Sequence, residues 1–166
     1  MRVADLEALP PDSRVWVFGV DRELTHDEET AVLDAVDGFL REWTAHGTPL
    51  TGARSWRYGR FLIVGVDEAS APPSGCSIDA LVRVLKSVES EIGARFLGNE
   101  AVWFRMGDGI QRLSRAEFRA LALGGRVTPN VVVFNNSITR LHELDQNGWE
   151  GPARDHWHGE AFFPEG

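Results

Sequence analysis

The stretch SGCSID, residues 74–79, holds the only cysteine of this 166-residue chain, between a proline-containing loop and an amphipathic run. A thiol at a helix entrance can act as a nucleophile or a redox group, because the unpaired N–H groups and the positive dipole end there stabilise a thiolate. Ile78, Leu81, Val82 and Leu85 mark the apolar stripe of the following helix. A residue two positions before Ile78 is rotated about 200° from it, so Cys76 is expected to face away from the core. Gly75 leaves room for a ligand, Ser77 shares the turn, and Asp79 adds a negative charge that opposes the thiolate. A thiol nucleophile needs a base within about 3 Å, and the candidates are His46, His156 and His158. The competing reading is a small hydrophobe that plugs a gap under neighbouring chain.

The segment DHWH, residues 155–158, supplies two of those histidines. In an extended chain His156 and His158 project from one side, a spacing that suits metal ligation. Further paired ligands are missing from the sequence, so neither a metal nor another cofactor is expected. In FNNSITR, residues 134–140, Asn135 and Asn136 follow a strand, where side chains often face a cleft, although Asn-Asn there is equally ordinary turn chemistry. The catalytic arrangement these residues allow is Cys76 as nucleophile or redox thiol, His158 as base, and Asp155 or Asn135 as the orienting group. His46, Ser77, Asp79, Asn136 and Trp157 are the expected binding contacts. His46 ends the first long helix, and the helix layout is expected to hold it out of reach of Cys76. A structural reading of DHWH makes Trp157 an anchor for the tail, with the histidines hydrogen-bonded at its rim.

These residues sit in a chain with net charge −8, 43% apolar and 25% charged residues, an ordinary globular composition without a basic face for nucleic acid. One cysteine forms no internal disulfide. The opening MRVADLEALPPDSR lacks an apolar signal stretch, and no apolar run approaches the roughly 20 residues of a membrane span. A soluble, cytoplasmic protein is expected. No GxxxxGK[ST] loop is present and Lys86, the only lysine, lies mid-helix, which excludes P-loop nucleotide hydrolysis. GxSxG and HExxH motifs are absent too.

The elements that must position these groups follow from periodicity. Val15–Val20 reads as a buried strand. Thr25 and Glu28 have capping-box spacing before the stripe Val32, Leu33, Val36, Phe39, Leu40, Trp43, and the helix is expected to run to Gly47. Residues 53–67 form a hairpin about Tyr58-Gly59, and a second helix begins at Cys76 and stops at Gly93. Residues 101–114 form a second hairpin turning at Gly107-Asp108-Gly109, Ser114 and Glu117 cap a short helix to Leu123, and Val131–Phe134 is a last strand. The order strand, helix, strand, strand, helix, strand predicts an α+β fold with a ferredoxin-like split βαβ core, its two helices on one face of an antiparallel sheet. A single domain over 1–166 is expected, with the core at about 13–106, an extension at 107–134 and a tail at 135–166. Trp149, Trp157, Phe162 and Phe163 should bring that tail back over the second helix's entrance and Cys76.

The blocks SRVWVFGVDREL, FLREWTAHGTPL, RFLIVGVDE, SGCSIDALV and VVFNNSI, with the closing DHWH, resemble a family of small bacterial proteins often labelled "ABC transporter ATPase". The resemblance covers nearly the whole chain, with GCSID and WTAHG its most specific parts. It implies no catalytic residue or cofactor, and the label conflicts with the missing Walker A loop. The family pattern has serine where this chain has His156, which leaves His158 as the tail candidate. Two functions are therefore expected to compete. One is a non-catalytic binding or adaptor module for an unknown small molecule or protein, with a homodimer as a variant. The other is a small thiol-dependent enzyme using Cys76.

Overall fold

The computed structural model describes residues 4–145 and 147–164. The chain forms two compact units, Met1–Leu97 with Thr139–Leu141, and Gly98–Ile138 with His142–Gly166. Both combine helices with open, mainly antiparallel sheets, an α+β architecture.

The first unit contains β1 (Ala4–Asp5), β2 (Arg14–Val20), α1 (His26–Arg41), the short strands β3 (Thr44–Ala45) and β4 (Thr48–Pro49), β5 (Gly52–Arg57), β6 (Phe61–Val66), α2 (Gly75–Ile92) and β7 (Phe96–Leu97). Its main sheet has the order β1-β5-β6-β2-β7. The β1–β5 pairing is parallel and the others are antiparallel. FLIVGV, the whole of β6, is buried and lies between β5 and β2. Leu62, Val64 and Val66 face one side of the pleat, where Val32, Val36 and Leu40 of α1 and Leu81, Leu85, Val88 and Ile92 of α2 complete one core.

Both helices begin as their sequences dictate. Thr25 accepts from the Glu28 N–H at 3.2 Å, and Glu28 accepts from the Thr25 N–H at 2.9 Å. Ser74 and Ser77 form the same reciprocal box at α2, which starts one residue earlier than expected and leaves Cys76 in its first turn. Gly93 ends α2 in the left-handed conformation, φ 67°. Arg22, just ahead of α1, donates to the Ile92 carbonyl at the far end of α2 at 2.8 Å. The two helices are thus antiparallel, and the end of α1 lies beside the start of α2.

The first helix stops at Arg41, not Gly47. The next residues turn back as the β3–β4 ribbon, whose two turn residues, His46 (φ 53°) and Gly47 (φ 80°), take the left-handed geometry that a tight hairpin requires. Trp43 remains in the core, but from the ribbon.

Gly65 of β6 points to the opposite side of the sheet, where a β-carbon would sit 2.6 Å from Leu6 Cδ1 and 3.1 Å from Leu9 Cδ1. Both leucines are buried, so they must shift within the packed core to admit it. Gly65→Ala is expected to cost about 1–3 kcal/mol, read as a lower urea midpoint with an unchanged slope.

The second unit contains β8 (Ala101–Met106), β9 (Gly109–Ser114), α3 (Arg115–Leu123), β10 (Val132–Phe134), β11 (Glu150–Pro152) and α4 (Trp157–Phe162), with sheet order β11-β10-β8-β9. Residues 101–106, expected as the fourth strand of the first sheet, belong here instead, and β7 takes that edge against Gly19 and Val20. Turn chemistry separates the two: Ala101 N–H donates to the Gly98 carbonyl, and Glu100 accepts from the Gly98 N–H at 3.0 Å. Phe118 is the centre of this unit's core, with Phe104 and Phe162 edge-on at ring separations of 5.0 and 4.8 Å. The tail is more regular than expected, since β11 and α4 give its aromatics fixed places.

Candidate functional site

Cys76 is exposed, in keeping with its expected outward orientation. It lines a cleft of about 380 Å³ built where the end of α1, the β3–β4 ribbon and the start of α2 meet. Phe39 and Glu42 come from α1 and its cap, Trp43, Thr44 and His46 from the ribbon, and Ser74, Cys76, Ser77 and Ala80 from α2 and its cap. Phe39, Trp43 and Ala80 give it an apolar part, beside a carboxylate, an imidazole, hydroxyls and a thiol.

Trp43 fixes this geometry. Its side chain packs against Phe39 and Trp16, with ring separations of 5.6 and 6.1 Å, and its Nε1–H donates to the Ser77 carbonyl at 2.8 Å. That bond fastens the ribbon to the first turn of α2. The serine capping box holds the same turn, with Ser74 accepting from the Ser77 N–H at 3.1 Å. Two walls of the cleft are therefore locked together by hydrogen bonds.

His46 and Cys76 both line this cleft. The expected layout set the end of α1 far from the start of α2, whereas antiparallel packing and the ribbon place His46 on the cleft wall. Ser77 lines it too, though its hydroxyl is committed to the cap, and Asp79 is exposed one turn away. Phe39, Glu42, Trp43, Thr44, Ser74 and Ala80 were missed as site residues. The signal for three of them was the dipeptide His46-Gly47, which marks a tight turn and hence a chain reversal after Trp43.

The remaining candidates belong to the second unit, and none lines this cleft, whose walls all come from residues 39–80. Asn135 uses its side chain in its own turn, accepting from the Ser137 N–H at 3.1 Å. Asn136 accepts from Trp149 Nε1–H at 2.9 Å. Asp155 is exposed. His158 is 1% exposed, and burial first, then the nearby His156 and Arg115, lowers its pKa to about 3. An imidazole so weakly basic is a poor acceptor for a thiol proton. His156 is held below its ordinary value by burial, with Asp155 and the Asn147 carbonyl acting in the other direction. Trp157 stacks on His158 with ring centroids 3.8 Å apart, while the hydrogen bonds expected of the histidines at its rim are missing at Nε2 of His156 and Nδ1 of His158.

Among the described residues no group of three His, Cys, Asp or Glu side chains has the geometry to hold a metal ion, and no helix is long and apolar enough to cross a membrane. No family model matches the chain, and neither a curated protein nor a solved structure was found to be similar to it.

Proposed function

We propose that the chain is a cytoplasmic binding module, not a P-loop ATPase, and that its contact site is the cleft beside Cys76. The observation that carries this reading is the cleft itself, whose volume of about 380 Å³ falls in the range of small-molecule sites and whose apolar wall and convergent polar groups suit an amphipathic ligand. A ligand of this class would place an aromatic or aliphatic part against Phe39 and Trp43 and polar atoms toward Glu42, Thr44 and His46. Assignment of the first unit to the ferredoxin-like class forms part of the proposal. Its support is the β5-β6-β2-β7 order with antiparallel neighbours and both long helices on one face. The sequence resemblance to the small bacterial family is compatible with this role, since it implies no chemistry.

A fragment screen followed by amide and indole NMR tests the binding reading. Fragments of the amphipathic class are expected to shift the Trp43 indole together with the Cys76 and Ser77 amides, and alkylation of Cys76 should abolish those shifts. A screen in which these signals never move, or move equally after alkylation, defeats the assignment.

One observation supports a second reading, thiol chemistry assisted by His46: the two side chains share the cleft. Iodoacetamide kinetics separate the two. A binding module predicts complete labelling of the folded protein at a rate within a few-fold of a free thiol, unchanged in His46→Gln. Assisted chemistry predicts labelling at least tenfold faster than a free thiol near pH 7, with the excess lost in that variant.

A further inference from the structure

The turn into α4 concentrates buried polar atoms that have no partner. Nε2 of His156, Nε1 of Trp157 and Nδ1 of His158 are all buried without a hydrogen bond, on three consecutive residues. Such groups are rare in folded proteins, and a buried imidazole that gains a proton has a full charge to compensate. The two imidazole rings lie 6.5 Å apart and nearly perpendicular, so a charge on one is felt by the other.

Arg115 and the neighbouring ring oppose a charge on His158, whereas Asp155 and the Asn147 carbonyl favour one on His156. From α3, Arg115 lies 4.6 Å over the Trp157 ring and Arg119 lies 5.3 Å over Phe162. From the turn at 153–155 come Arg154, which bonds Asn130, and the exposed Asp155, which acts on His156. Glu160 on α4 is exposed. From β8 and β10, Val102, Phe104 and Val133 add only apolar surface to the core on which this segment rests. Among the described residues, neither imidazole has a carboxylate hydrogen-bonded to it.

We infer that His156–Phe162 is an acid-released latch: the segment docks on α3 while both imidazoles are neutral, and protonation drives it off and bares the aromatic surface around Phe118. This does not rest on the Cys76 cleft. The direction follows from linkage. The docked segment holds His158 near pKa 3, against an ordinary value of 6.5 once it is released. Release therefore takes up a proton between those values, docking is at full strength above about pH 6.5, and it weakens by up to tenfold per pH unit below.

Amide hydrogen exchange, corrected for the intrinsic pH effect, tests the latch on the whole chain. Protection at Phe163, whose N–H donates to the Gly159 carbonyl, is expected to fall at least tenfold between pH 7.5 and 5. The β6 amides serve as the reference, since that strand is buried throughout and carries no titratable side chain. In His158→Phe, which keeps an aromatic ring on Trp157 but cannot titrate, most of the pH dependence should vanish. Protection at Phe163 that stays constant in the wild type, or that falls equally in the variant, overturns the inference. Should the variant fail to fold, NMR titration of the wild-type ring decides: a His158 ring that protonates above pH 5.5 while Phe163 stays protected is equally fatal.

Discussion

Trp43→Ala is expected to destabilise the first unit by about 3–5 kcal/mol and to erase the cleft in the same step. The indole is 3% exposed and sits among Phe39, Trp16, α1 and α2, so truncation leaves a large cavity under the β3–β4 ribbon. Its loss also cuts the bond to the Ser77 carbonyl, the tie between ribbon and helix. Trp43→Phe separates the two contributions. It retains most of the apolar bulk and removes the donor, and a cost of about 1–2 kcal/mol is expected. Urea denaturation measures the stabilities, and fragment binding to the surviving folded fraction measures the site. If Trp43→Phe folds well but loses all binding, the ribbon-to-helix bond positions His46 opposite Cys76. If both variants bind as the wild type does, the cleft is not the contact site.

Phe118→Ala is expected to have a comparable effect on the second unit, again about 3–5 kcal/mol. Phe118 is fully buried, with Phe104, Phe162 and Phe163 edge-on around it at ring separations of 5.0, 4.8 and 6.3 Å. Aromatic pairs of this geometry add to the area they bury. Phe118→Leu keeps much of the volume and should cost less than half as much. Hydrogen exchange locates the damage: protection in β8, β9 and α4 should drop well before protection in β6 and α2. A uniform drop in both units would mean that they unfold as one, and no drop would mean that Phe118 is not the keystone of its core.

The sequence made much of the local architecture legible. Capping-box spacing at Thr25–Glu28 and Ser114–Glu117 located two helix starts, and the apolar stripe from Ile78 located the face that α2 buries. The same periodicity turned Cys76 outward. The hairpin turns at Tyr58-Gly59 and Gly107 announced themselves through their glycines, which take the left-handed geometry the turns need. What failed, failed at chain reversals. Trp43 continues the helical stripe of α1 in register, so periodicity alone carried the helix onward, and only the left-handed His46-Gly47 pair could have signalled the ribbon. In the same way the apolar run 101–106 read as a partner for the first sheet, although the Gly98–Glu100 turn sends it to another.

The site shows where this division falls. Capping boxes, stripes and tight turns depend on residues within about four positions of each other, so sequence by itself determined the helix starts, the buried faces and the exposure of the thiol. Its company was decided by the tertiary structure. Trp43 and Ser77 are 34 residues apart, and their contact exists because antiparallel helices on one sheet face bring the end of one to the start of the other. Burial of the His158 ring likewise depends on α3 and the sheet beneath it, contacts that no local pattern in DHWH encodes.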